Sequence, residues 1–269
     1  MKDKAIINYH KGECSRFRAQ NQFFFHQKIK YRGIALTHIS LHENMKPENW
    51  STHLYSLYYN LQPPANLPEG IDWLYPQKDK QVMEVFRQFT ELFYNDKKTR
   101  KLMLGINPGR FGAGVTGVNF TAPRQLKNIL GIEHPFRDQS ELSAEFIYSM
   151  IEAYGGVKKF YSHFFIGSVC PLGFVKNGKN INYYDDPALL RAVEPFIITN
   201  LQKLLEAPVD RRKVFSIGGE KNFKYLSRLN EKMNWFEEII PLPHPRFIMQ
   251  YRRKQVPQFI QQYLQLITK

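Results

Sequence analysis

Residues 101–120, KLMLGINPGRFGAGVTGVNF, constrain this chain more than any other stretch. The apolar run 102–104 has the character of a short strand buried on both faces, and it ends at Gly105. Five glycines lie from Gly105 to Gly117. A buried strand that empties into a glycine-rich loop lets backbone approach a ligand closely, because glycine has no side chain to hold the ligand off. Between Lys97 and Ile132 there is no carboxylate, and there are seven basic residues: Lys97, Lys98, Arg100, Lys101, Arg110, Arg124 and Lys127. That local charge predicts an anionic partner beside the loop.

The flanking pattern alternates strands and helices. The spacing predicts helices over residues 47–61 and 78–94, the second with Val82, Val85, Phe86, Phe89, Leu92 and Phe93 on one stripe. Pro63, Pro64, Pro68 and Gly70 break the chain between them. After the first strand (101–106), helices are expected over 123–131 and 143–154, the latter stopped by Gly155-Gly156. A second strand follows at 163–169, a polar turn region at 177–186 and a long helix at 187–205. Strands at 213–217 and 238–241, with a helix to about 233 between them, and a terminal helix at 256–267 complete the series. Such alternation predicts an α/β fold: a three-layer α/β/α sandwich around a central, mainly parallel four-stranded sheet. Ligands of such sheets sit beyond the carboxyl ends of the strands. The segments 107–117, 168–172 and 243–246 all fall there.

Residues 1–44 read as a separate basic N-terminal extension, with eight basic and three acidic residues (8 − 3 = +5). Residues 45–269 read as the main domain. The whole chain carries a formal net charge of +14, which favours nucleic acid as partner. No run of 18 apolar residues suggests a membrane span. The N-terminus lacks the apolar core of a secretory signal, so a cytoplasmic protein is expected. Cys14 and Cys170 are too few for a thiolate metal site, and His134, His163 and His244 are scattered without metal spacing. No metal and no cofactor is expected, and the chain is expected to act as a monomer.

The glycine loop lacks the Gly-Lys-Ser/Thr of a phosphate-cradling loop, and Pro108 breaks the spacing of a dinucleotide fingerprint. Its residues instead match a longer pattern: Gly105, Ile106, Asn107, Pro108, Gly109, Phe111 and Gly112, then Thr116, Gly117, Val118 and Phe120. Two further blocks follow in order, Val169-Cys170-Pro171-Leu172 and His244-Pro245. Together they resemble the motifs of the uracil-DNA glycosylase superfamily, and among its branches the single-strand-selective monofunctional uracil-DNA glycosylases. The resemblance covers roughly residues 45–269. It implies a monofunctional glycosylase that flips uracil out of single- or double-stranded DNA and hydrolyses the glycosidic bond, leaving an abasic site. Asn107 then falls where the family orients water, and His244 where it stabilises the departing base anion. Phe120 would stack on the base. Backbone around Ile106, Gly109 and Phe111 would contact base or phosphate. An amide has no useful pKa, so Asn107 would position water rather than act as a general base. No lysine lies inside the matched motifs, so Schiff-base chemistry is not implied.

Two departures bear on specificity. The family carries an Asn two residues before Cys-Pro-Leu; here that position is Ser168, whose single hydroxyl reads less of a base edge. Weaker or redistributed discrimination is expected, with xanthine or hypoxanthine as alternative substrates, and the segment 177–182 offers other amides. The third motif is also shortened, with Arg246 directly after Pro245. Phe247 and Met249 are then candidates to wedge the DNA. Arg110, Arg246, Arg252, Arg253 and Lys254 are candidates to hold phosphates. A catalytically inactive nucleic-acid-binding protein of the same fold is the alternative of a different class.

Overall fold

The central strand forms where the apolar run predicts it. In a computed structural model, which describes residues 48–269, β2 (Arg100–Gly105) runs through the interior with Leu102, Met103 and Leu104 wholly buried. The expected extension over residues 1–44 lies outside the described residues, as does Cys14. Before β2 come α1 (Trp50–Tyr59), β1 (Ile71–Leu74) and α2 (Lys80–Tyr94). After it come α3 (Ala113–Thr116), α4 (Pro123–Asn128), α5 (Leu142–Tyr154), α6 (Val157–His163) and β3 (Phe164–Ser168). The chain continues through β4 (Gly173–Lys176), β5 (Lys179–Ile181), α7 (Pro187–Leu204), β6 (Val209–Ile217) and α8 (Gly219–Met233). It closes with β7 (Glu238–Leu242), α9 (Pro245–Tyr251) and α10 (Val256–Thr268).

The main sheet has four strands in the order β3-β2-β6-β7, all parallel. Parallel neighbours need crossover connections, and helices supply them, which gives the expected α/β/α layering. The chain leaves β2 for β3 on one side and then passes back over β2 to reach β6. That reversal makes the carboxyl end of β2 a switch point, where loops from adjacent strands diverge and leave a crevice. Caps fix several helix starts. Asp79 accepts from the Gln81 N–H ahead of α2, and Asp186 accepts from the Ala188 and Leu189 N–H groups ahead of α7.

A second, antiparallel sheet in the order β1-β4-β5 departs from the sequence expectation. Residues 177–186 read as a polar turn region, yet β4 and β5 form a hairpin around Asn177-Gly178. Both residues have positive φ, 50° and 70°, as a two-residue hairpin turn requires. The strands are short, and β5 is largely exposed, so no alternation of apolar residues marks it. The short helices α3, α6 and α9 were likewise not predicted, being too brief to build a periodic stripe. No helix among the described residues is long and apolar enough to cross a membrane.

The local charge reading also needs correction. Arg100 is not available to a ligand: it is fully buried, pairs with Asp96 at 2.6 Å and donates to the Tyr161 carbonyl at 2.8 Å. Its guanidinium lies 4.9 Å from the Tyr94 ring centre. Lys101 points to the opposite end of the sheet and reaches the Ile267 carbonyl. Arg124 and Lys127 have acidic neighbours in Asp138 and Glu133. Arg110 is the basic residue that remains within the loop.

Candidate active site

A cleft of about 380 Å³ opens at the carboxyl edge of the main sheet. Register explains which residues meet there. Gly105 at the end of β2 pairs with Ser168 at the end of β3, and Leu242 at the end of β7 pairs with Ile217 of β6. The residues that follow, Ile106 and Asn107 after β2, Gly218 after β6 and His244 after β7, therefore line one crevice.

The glycine loop wraps one wall. Gly109 accepts through its carbonyl from the N–H groups of both Gly112 and Gly114, which curls the loop onto itself. Gly117 then caps α3 at φ 73°, and Thr116 donates to the Thr121 carbonyl at 2.7 Å to close the turn. Between these anchors Phe120 adopts φ 52°, a left-handed conformation uncommon for a bulky residue. The payoff is position: the Phe120 ring lies over the end of β2, so close that a Cβ added at Gly105 would sit 2.7 Å from it. Gly105 is thus required by the aromatic platform.

Asn107, at the start of the loop, is held against the end of the β4–β5 hairpin. Its Oδ1 accepts the Tyr183 N–H at 3.2 Å, and its Nδ2 faces the Ile181 and Pro108 carbonyls, each at 3.4 Å. Donor and acceptor contacts on both ends of the amide fix which atom faces which way. The Oδ1 keeps a second lone pair for a water. The β4–β5 hairpin buttresses this wall: Asn180 Oδ1 accepts the Arg110 N–H at 3.4 Å, and the Arg110 guanidinium donates to the Gly178 carbonyl. Gly173 packs under the loop, where any Cβ would collide with the Pro108 carbonyl.

His244 enters as the N-cap of α9. Its Nδ1 accepts the Arg246 N–H at 3.0 Å, so in the neutral ring the proton sits on Nε2. Burial in the cleft, reinforced by the nearby Arg246 charge, lowers its pKa to about 4. At neutral pH His244 is an uncharged imidazole with one N–H to give.

Ser168 is buried, and its hydroxyl donates to Asn119 Oδ1 at 3.1 Å. Asn119, Asn180, Asn182, Tyr184, Glu141 and Ser143 also line the cleft, and sequence reasoning did not single out Asn119, Tyr184, Glu141 or Ser143. Glu141 brings a carboxylate beside a loop whose own sequence has none; it caps α5 by accepting the Ala144 N–H at 3.0 Å. Only position x of the Thr-Gly-Val-x-Phe block pointed toward Asn119.

Of the sequence candidates, Asn107, His244, Ile106, Gly109, Phe111, Phe120, Ser168 and Arg246 line the cleft together. Arg110, Phe247, Arg252, Arg253 and Lys254 are not among its lining residues. Arg110 stacks on Phe111, 4.6 Å from guanidinium carbon to ring centre, and Arg252 lies 5.6 Å from the Phe247 ring centre. Phe111 and Phe247 are 43% and 45% exposed, large apolar surface to leave in water. Met249 is a correction: it is buried on the core side of α9, a helix that starts at Pro245, and does not project from the rim. Among the described residues no three His, Cys, Asp or Glu side chains cluster as a bound metal ion requires.

Comparison with known proteins identifies the family and the fold. Residues 92–268 match the uracil DNA glycosylase superfamily. The chain belongs to that superfamily. It is 31% identical over 139 residues to the single-strand selective monofunctional uracil-DNA glycosylase of Rattus norvegicus, covering 45% of this chain and 49% of that protein. The Mus musculus counterpart is 30% identical over 142 residues, covering 46% and 50%. The chain thus spans about half the length of these rodent relatives. A solved structure of wild-type Pedobacter heparinus SMUG2 superposes with a TM-score of 0.80 at 39% identity, covering 82% of this chain and 97% of that one. The fold of this superfamily, with its parallel sheet and helical layers, is the fold described above. The first and third motifs of the resemblance both contribute lining residues to this cleft, and the second block directly follows the lining residue Ser168.

Proposed function

We propose that the protein is a monofunctional DNA glycosylase that removes uracil from DNA and leaves an abasic site for base excision repair. One observation carries the reading: Asn107, Phe120 and a neutral His244, supplied by segments more than a hundred residues apart in sequence, face a single cleft large enough for a base.

The base cannot be reached within a duplex, so the nucleotide swings out at a cost of a few kcal/mol. Phe120 stacks on the extruded base, worth about 1–3 kcal/mol. The bond between C1′ and the base nitrogen then breaks, and its electron pair leaves with the base. His244 donates Nε2–H to the base oxygen on which that charge gathers. Because the imidazole is neutral, it stabilises the anion without first protonating it. Asn107 Oδ1 holds a water against the cationic sugar; the water oxygen bonds to C1′ and gives its proton to solvent, from which the released base anion takes one up. No lysine takes part, so the strand stays intact. Phe111 and Phe247, with the basic residues Arg246, Arg252, Arg253 and Lys254, form the rim that meets DNA. Action as a monomer in the cytoplasm belongs to the same proposal.

The test is release of free uracil from a uracil-containing oligonucleotide by wild type, N107A and H244A. Release by wild type that falls at least a hundredfold in each variant, with DNA affinity retained, supports the reading. A wild type that releases no base while binding the oligonucleotide favours a binding protein of the same fold.

A further inference from the structure

Ser168 provides only a hydroxyl where an amide would read both atoms of a base edge, yet the hydroxyl is not alone. Its proton is directed to Asn119 Oδ1 at 3.1 Å. Asn119 Nδ2 is in turn placed 3.4 Å from the Tyr58 hydroxyl, which accepts from it. Tyr58 is buried in the core, and its ring packs against Phe86 at 4.8 Å between centres. Asn119 is half-buried, lines the cleft and immediately precedes the Phe120 platform. Phe120 and Ser168 flank the same backbone, since the ring rests on Gly105 and Gly105 pairs with Ser168. A base stacked on Phe120 turns its edge to Ser168 and Asn119.

We propose that Asn119 and Ser168 together read the –CO–NH– edge of the extruded base, and that Asn119 sets the base specificity. The proposal rests on the glycosylase reading for its substrate. The chemistry follows from the hydrogen bonds already assigned. With its proton given to Asn119, Ser168 Oγ has lone pairs to accept a base N–H. With one Nδ2 hydrogen directed at Tyr58, Asn119 keeps the other for a base carbonyl. The result is an acceptor beside a donor. Uracil presents the complement in its O4 and N3–H; hypoxanthine and xanthine present it in O6 and N1–H. Cytosine and adenine present the reverse, an amino donor beside a bare ring nitrogen. The pair therefore accepts uracil and hypoxanthine and rejects their parents cytosine and adenine, dividing between two residues a task that a single amide performs elsewhere in the superfamily; guanine and thymine share the accepted edge, so excluding them falls to other parts of the cleft.

The experiment separates reading from chemistry. Affinities are measured for three oligonucleotides that differ at one site: 2′-fluoro-deoxyuridine, 2′-fluoro-deoxycytidine and a tetrahydrofuran abasic analogue. The fluorine disfavours the cationic sugar and keeps the base attached. Wild type should bind the uracil form more tightly than the cytosine form. N119A should lose roughly 10- to 100-fold of that preference, the worth of a buried hydrogen bond to a recognised group. N119D, which offers only acceptors, should reverse it. Abasic-site affinity should stay within about threefold for both, as no base is read there. S168A should weaken the preference in the same direction as N119A. Undiminished uracil preference in N119A and N119D would overturn the proposal. So would equal loss of abasic-site affinity in both, which would mark Asn119 as merely structural. Should wild type release no uracil from ordinary DNA, the glycosylase reading fails, while these affinity ratios still decide the role of Asn119.

Discussion

His244 makes a prediction whose sign and size follow from its surroundings. Its ordinary pKa of 6.5 is lowered to about 4 in the fold, first by burial and then by Arg246. The unfolded chain therefore binds a proton that the native state refuses between those values. Stability from this group is fully present above about pH 6.5 and is lost as pH falls toward 4. Integrating the two titrations from about pH 7 to about pH 4.5 gives a loss of about 2 kcal/mol, an upper figure because the cleft is open to water. His244→Asn isolates the term. Asparagine keeps a side-chain oxygen for the Arg246 N–H, so the cap on α9 survives, but it does not titrate. Urea unfolding at the two pH values should show wild type losing about 2 kcal/mol more than H244N. Other groups titrate too; His53, also lowered by burial, acts in the same direction. Those groups are common to both proteins and cancel in the difference. Equal acid sensitivity in the two would refute the picture of a desolvated neutral imidazole, and with it the assignment of His244 as an uncharged donor. The same pKa has a kinetic side: excision should not fall between about pH 8 and pH 5.5 through this group, whereas an ordinary histidine would cost about tenfold at the lower value.

Other outcomes can be checked directly. Gly105→Ala places a Cβ 2.7 Å from the Phe120 ring, so the ring must shift; uracil release should drop tenfold or more, with a stability cost of about 1–3 kcal/mol by thermal melting. Replacing Asn107 with Ala should reduce single-turnover release by about 10²–10³-fold while gel-shift affinity for the same oligonucleotide stays near wild type. Arg100→Ala strips the partner from Asp96 and empties a packed interior site between Trp50 and Tyr94, so it should cost about 3–5 kcal/mol in urea unfolding, with a change under 1 kcal/mol arguing against a tightly integrated pair. Single alanine changes at Arg252, Arg253 and Lys254 should each lower the slope of log affinity against log salt by about one if that residue meets a phosphate, whatever the DNA sequence.

The parts legible in the sequence were those written in consecutive residues. The run 102–104 announced a buried strand because parallel strands covered on both faces are continuously apolar, and the helix over 80–94 announced itself by its apolar stripe. The hairpin around Asn177-Gly178 was not legible, because its strands are short, polar and partly exposed and their pairing is the only thing that makes them strands. Charge misled for a related reason. Arg100 sits in a run of cations, but Asp96 and two backbone carbonyls from other elements absorb it, and sequence proximity to the glycine loop says nothing about which end of the strand a side chain occupies.

The site divides along the same line. Asn107, Phe120 and His244 could be named in advance because each sits in a short block of neighbours, and the register of four parallel strands then brings the block ends together. What a block cannot encode is a bond between blocks. Ser168 and Asn119 are 49 residues apart, and neither alone signals an amide–hydroxyl pair. In the sequence Ser168 looks like a loss, a base-reading amide reduced to a hydroxyl. In the fold that hydroxyl is the atom that orients Asn119, and the loop that carries Phe120 delivers the amide to the same edge. If specificity in this branch of the superfamily is shared in that way, then changes at position 119 should alter base choice more than changes at Ser168, because Asn119 supplies the donor and Ser168 only an acceptor that water can replace.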